Sequence, residues 1–283
     1  MLKRVFLAAI MLTALAGCAG TGGALPEPAA TADKKHRMEA IRAACMKQHG
    51  FKYIAFVPPE KEKSGDELQR LNGDYLAMRK YREKYGFGIF APYVYPAEKA
   101  QIGSQTERNP NEDISGKLSA AQRDSYAKAE VTCFVQAARR VLGKTVKSRK
   151  EFYDQFGAAK RDIVAYEIND NPWAVNLAGD MAACLRDLGY SVPKVTPREI
   201  SLSTQQPFHD QLSKIGQQQN LFTPAPGSRE IVMPELSPAE ARPYLEKEIK
   251  AALDDLECGA DFYALYEPMN TEVNNRLFAE FAM

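Results

Sequence analysis

Five cysteines and three histidines carry the chemistry most open to reading here: Cys18, Cys45, Cys133, Cys184 and Cys258, with His36, His49 and His209. Cys18 stands apart near the N-terminus. The other four are an even set, which in an exported chain reads as two disulfides, with three connectivities allowed. Zinc is the competing use. No pair has Cys-x-x-Cys spacing and the histidines are not at ligand spacing, so neither a metal nor another cofactor is expected. His209, in Pro207-Phe208-His209-Asp210, is the only histidine with an adjacent carboxylate, and no Gly-x-Ser-x-Gly accompanies it. His49 lies at an expected helix end, where a cation suits the dipole. Gly143-Lys144-Thr145 looks like the end of a phosphate loop, but Ala138 stands where the first glycine belongs and a helix precedes it. It is expected to be a helix exit. Carboxylate-pair hydrolysis stays open, because spacing in sequence does not give separation in space. No catalytic residue is assigned.

The aromatic stretch Tyr85, Phe87, Phe90, Tyr93 and Tyr95 surrounds Gly86 and Gly88. Exposed, these rings would make a platform for glycans or peptides. The favoured reading is a glycine exit followed by a core strand. The lone Trp173, after Asn171-Pro172, is expected to be a core anchor.

Cys18 closes an N-terminal segment with three zones. Lys3 and Arg4 are a short positive region, Val5 to Ala14 is almost wholly apolar, and Leu15-Ala16-Gly17 supplies small residues ahead of the thiol. The apolar run is too short to span ~30 Å of hydrocarbon, and its order is that of a signal peptide over residues 1–17. The Leu-Ala-Gly-Cys ending resembles the lipobox of bacterial lipoproteins. That resemblance implies a diacylglycerol on the Cys18 thiol, cleavage before it, and acylation of the new amine by a palmitate-type chain. Several acyl chains together make a stable anchor where one would not. Ala19 resembles the sorting residue of an outer-membrane lipoprotein if the source is Gram-negative; in a Gram-positive source the anchor would sit in the cell membrane. Residues 18–34 then form the lipidated cysteine and a flexible Ala, Gly, Pro and Thr tether, with an end-to-end span of ~20–24 Å.

Removing Lys3 and Arg4 takes the formal charge from +1 to −1. Such a balance, with no basic aromatic cluster, argues against a nucleic-acid partner. With 45% hydrophobic and 10% aromatic residues the chain can build a real core.

The body reads mainly as helices. Met38, Ile41 and Cys45 mark a face that stops at Gly50; Leu68, Leu71, Tyr75, Met78 and Tyr85 mark another that stops at Gly86. Ser119-x-x-Gln122 is a capping box opening a helix through Tyr126, Cys133, Ala137 and Val141 to Gly143. Ser148-x-x-Glu151 opens a helix with Phe152 and Phe156 inward. Leu177, Met181, Cys184 and Leu188 mark one that stops at Gly189. Ser237-Pro238-x-Glu240 combines a capping box with proline at the first helical position, and Pro243 is expected to kink or restart that helix. Thr271 is expected to cap a last helix through Leu277 and Phe281. Short strands are expected at Tyr53 to Val57, Ile89 to Val94 and Arg229 to Val232.

One pattern occurs twice. Ala43-Ala44-Cys45-Met46-Lys47-x-x-Gly50-Phe51 matches Ala182-Ala183-Cys184-Leu185-Arg186-x-x-Gly189-Tyr190, and Leu118-Ser119-x-Ala121 with Tyr126 matches Leu236-Ser237-x-Ala239 with Tyr244. A cysteine follows each tyrosine, Cys133 in the first half and Cys258 two helical turns later in the second. The echo suggests a degenerate duplication and favours the pairs Cys45–Cys133 and Cys184–Cys258.

Cys45-Met46 to Gly50-Phe51-x-Tyr53, Lys84 to Ile89, the Leu118-Ser119 helix start and the Cys184 to Tyr190 run together resemble a group of uncharacterised bacterial lipoproteins, many of them actinobacterial. The likeness covers most of the chain after Cys18, although this sequence lacks a glycine before Cys133. It implies an envelope location and disulfides and transfers no catalytic residue. The expectation is therefore a mainly α-helical, disulfide-stabilised protein with few short strands and two related lobes, residues 35–160 and 161–283. The expected role is a binding or structural component of the cell envelope with a protein or glycan partner, the alternative being an envelope hydrolase with a carboxylate-based site.

Overall fold

The computed structural model describes residues 28–60, 62–98, 107–219 and 233–283, and Cys18 with the expected signal segment lies outside them. Among the described residues there are twelve α-helices and no strand. The described residues begin with α1 (Pro28–Gln48), α2 (Gly65–Leu71), α3 (Tyr75–Tyr85) and α4 (Ala91–Val94). After a 3₁₀ turn come α5 (Pro110–Gly116), α6 (Ala120–Leu142), α7 (Arg149–Ile163) and a π turn, Val164–Asn169. The second half holds α8 (Pro172–Asp187), α9 (Pro197–Ser203), α10 (Gln206–Gln218), α11 (Pro238–Cys258) and α12 (Ala260–Phe281). No helix among the described residues is long and apolar enough to cross a membrane.

The helix ends follow side-chain chemistry. Ser119 with Gln122 and Ser237 with Glu240 form reciprocal capping boxes, each closing two otherwise orphaned donors. α1 and α8 end alike. Gly50 and Gly189 have φ of +80° and +87°, and the next amide, Phe51 or Tyr190, donates back to Met46 O or Leu185 O at 3.0 and 2.9 Å. Only a left-handed residue lets the chain turn back to satisfy those carbonyls.

The echo has a structural counterpart. α1 lies against α6 and α8 against α11, and each pair is closed by a disulfide: Cys45–Cys133 and Cys184–Cys258, both with Cα atoms 5.5 Å apart. The pairs do not form separate lobes. The expected division near residue 161 falls inside α7, and one core runs across it. Met38, Met78 and Phe134 from the first half pack with Met181, Leu185, Phe262, Tyr266, Leu277 and Phe281 from the second. The reason is α12, which lies against α1, α2, α3, α7 and α8 and gives Phe262, Tyr266, Leu277 and Phe281 to this core.

Several expectations are corrected. Residues 28–34, expected in the tether, belong to the folded part: α1 starts at Pro28, Thr31 is buried, and Lys34 Nζ donates to Ala279 O at 3.1 Å. The helix read from Leu68 to Tyr85 is two helices. Asn72-Gly73 breaks it and Asp74 restarts it, its carboxylate accepting from the Ala77 amide at 2.8 Å. Tyr53 to Val57 has no strand partner among the described residues; the Asn111 side chain bonds both the amide and the carbonyl of Ile54, at 2.8 and 2.9 Å, standing in for one rung of a ladder. Ile89 to Val94 is a turn leading into α4, because its amides point at a carboxylate rather than a neighbouring strand. Arg229 to Val232 lies outside the described residues. α11 runs past Pro243 without a break, held by the capping box before it and by buried Ala241 and Leu245 on either side. Thr271 lies within α12, where its hydroxyl donates to Leu71 O at 3.0 Å.

Candidate functional site

A cleft of about 170 Å³ opens where α2, α3, α9 and α12 meet. α2 contributes Arg70 and Leu71, and α3 contributes Met78, Tyr81 and Arg82. Gly86 and Phe87 come from the α3 exit, Ser201 and Gln205 from α9 and the turn after it, and Tyr263 and Glu267 from α12.

Its floor is an ion pair. Arg82 reaches from α3 to α11, donating to Asp255 Oδ2 at 2.6 Å and to Ala252 O at 2.7 Å. Asp255 has no solvent contact. It also accepts from the Tyr263 hydroxyl at 2.6 Å and from the Thr204 hydroxyl. The rings of Tyr263 and Phe87 lie 4.7 and 5.5 Å from the guanidinium, a low-dielectric setting with favourable cation–π contact. Burial and the Asp255 charge push the Tyr263 hydroxyl well above its ordinary pKa.

A second buried acid lies behind the cleft wall. Glu248 of α11 accepts from the amides of Ile89 and Phe90, both at 2.8 Å. Gly86 and Gly88, at φ +60° and +91°, turn the chain so that successive N–H groups converge, an anion-holding nest filled from within the protein. Space enforces glycine at 86, where an added Cβ would lie 2.8 Å from Glu248 Cγ. Burial raises the Glu248 carboxyl to about 7, with the loop amides pulling the other way.

Two charged groups in the cleft have no ion-pair partner among the described residues. Arg70 lies 4.1 Å over the Tyr81 ring. Glu267 is half-buried on α12; burial raises its carboxyl, opposed by the positive charges of Arg82, Arg70 and Arg198.

The residues singled out in the sequence fall elsewhere, with one exception. Phe87 reaches the cleft. Phe90 is fully buried and stacks on Tyr244 at 4.9 Å, while Tyr85, Tyr93 and Tyr95 are half-buried in the small core they share with Leu212 and Leu245. The five rings are not an exposed platform. Trp173 is 74% exposed rather than a core anchor, because Asn171 caps α8 and Pro172 opens it, leaving the indole on the outer side of the first turn. His209 is exposed on α10, away from the cleft. His49 lies within 4.8 Å of both Cys45 and Cys133 sulfurs, but in the disulfide those sulfurs bond each other. Gly143 ends α6 in a left-handed turn, and Lys144 pairs with Glu280.

Sequence reading missed Arg70, Arg82, Asp255 and Glu267. Each is an ordinary charged residue on a helix rich in them, and no spacing flags the pairing of positions 82 and 255. Only Gly86-Phe87-Gly88 gave a signal.

No family model, no curated protein and no solved structure matches the chain.

Proposed function

We propose that this protein is a lipid-anchored component of the bacterial cell envelope that binds a ligand rather than transforming one. The lipobox-like ending at Cys18 supports the anchor. Two disulfides suit an oxidising compartment. The observation that carries the non-enzymatic reading is the fate of the buried acids. Asp255 is committed to Arg82, Tyr263 and Thr204, and Glu248 to the loop amides. Both act as internal braces, which leaves the cleft a single accessible carboxylate.

That carboxylate, Glu267, is what favours the second reading, an envelope hydrolase. A glycosidase-type mechanism uses two carboxyl groups flanking the bond. Here the other acids near the cleft are Asp255, buried under its own ion pair, and Glu248, held by the loop amides.

In-cell crosslinking with mass spectrometry, comparing wild type with Cys18→Ala, tests the proposal. Partners captured by the wild type should be lost when the anchor is removed. Identical partner sets, or an unchanged precursor mass when lipoprotein processing is inhibited, would defeat it.

A further inference from the structure

We propose that the cleft between α2, α3, α9 and α12 takes a small zwitterion of the α-amino-acid type, its ammonium on Glu267 and its carboxylate on Arg70. The inference rests on the binding reading above and names the ligand class of the same cleft.

Size sets the first bound. At about 170 Å³ the cleft holds the volume of roughly five or six water molecules. Pockets for drug-sized ligands run to ~300–1,000 Å³. A small amino acid fits within the cleft.

Charge sets the second. Arg82 is held by Asp255 and the Ala252 carbonyl, so the charged groups left for a ligand in the cleft are one guanidinium and one carboxylate. Arg70 lies 4.1 Å over the Tyr81 ring, and a guanidinium can grip a carboxylate through two parallel hydrogen bonds. Glu267 offers acceptors to an ammonium. A phosphate dianion would meet Glu267 as a like charge, and a bare cation would meet Arg70, Arg82 and Arg198. A molecule carrying both charges has a counter-charge for each of these two residues lining the cleft. Leu71, Met78 and Phe87 supply an apolar side suited to a small aliphatic side chain.

The test is calorimetric titration and saturation-transfer NMR on the full chain after Cys18, both disulfides intact. The probes are glycine, L-alanine and L-leucine, with acetate, methylammonium and inorganic phosphate as single-charge controls. At least one amino acid should saturate below about 10 mM and bind about tenfold or more tighter than acetate or methylammonium. Arg70→Gln and Glu267→Gln should each weaken it about tenfold or more, the loss of one charge-assisted contact. Arg70→Lys, which keeps the charge and loses the fork, should fall between. Melting without ligand serves as the folding control, and Arg70→Lys serves if either glutamine variant is unfolded. Acetate or phosphate binding as tightly as the amino acids would make this an anion site and overturn the inference while leaving the binding reading standing. No saturation by any amino acid would also overturn it. The crosslinking comparison with Cys18→Ala judges the binding reading separately.

Discussion

Asp255 has no contact with water and holds three donors, so the group to watch on mutation is the partner left behind. Arg82→Met should cost about 3–5 kcal/mol, because it strands a buried carboxylate. Arg82→Met with Asp255→Leu should cost clearly less than the sum of the single changes, since an apolar pair leaves no charge uncompensated. Urea unfolding of the four species measures the coupling; strict additivity would mean that the two residues do not act together. Glu248 makes a prediction with a sign. Its carboxyl sits at about 7 in the fold against 4.5 when free, so the folded chain holds this proton more tightly than the unfolded one. The stabilisation is then complete below pH 4.5, fades as the pH rises to about 7, and is flat above; at most about 3 kcal/mol is involved. Glu248→Gln should flatten the decline of the urea midpoint between about pH 5 and 7.5. A decline retained in the variant would assign it to Glu267, whose carboxyl shifts the same way.

At the scale of elements, the break between α2 and α3 is the sharpest point. Gly73 has φ +76°, and a Cβ there would lie 2.5 Å from Tyr263 O and 2.8 Å from Ala264 Cα. Both are backbone atoms of α12 and cannot swing aside. Gly73→Ala should therefore lose more than the ~1–2 kcal/mol of the left-handed conformation alone. A loss below that in chemical denaturation would mean that α2 moves freely on α12. The helices and their caps were legible in the sequence because a cap is local: Ser119 and Gln122, or Ser237 and Glu240, need only each other. Gly73 was passed over because Leu71 and Tyr75 keep helical spacing across it, and the pattern outweighed the punctuation. Thr271 carried a genuine hydrogen-bonding signal, but its partner is Leu71, two hundred residues away. The cleft was illegible for the same reason. Arg70, Arg82 and Glu267 acquire meaning only when α12 lies down on α2 and α3, and that packing is encoded in apolar faces that name no partner.

At the scale of the whole molecule, the shared core bears on how the protein melts. Two independent lobes would give two transitions. A core containing Met38, Phe134, Met181 and Phe281 together should give one, with coincident calorimetric and spectroscopic curves. The bridges span 88 and 74 residues, so replacing either pair by serine should lower stability by up to about 4.5 kcal/mol on the chain-entropy account. It should also shift that single transition rather than split it. A calorimetric trace in which Cys184→Ser/Cys258→Ser lowers only part of the melt would restore the two-lobe description.

The order of the bridges has a consequence for biogenesis. Cys45 joins Cys133 and Cys184 joins Cys258, so after Cys18 each cysteine is paired with its nearest neighbour in chain order. If the chain is exported and the Cys18 thiol acylated, as proposed, a polypeptide threading N-terminus first past a thiol oxidant presents each remaining sulfur with its correct mate before any wrong one has emerged. Oxidation in that direction needs no later reshuffling, which otherwise takes seconds to hours. Maturation should therefore proceed with an oxidase alone and be indifferent to loss of a disulfide isomerase.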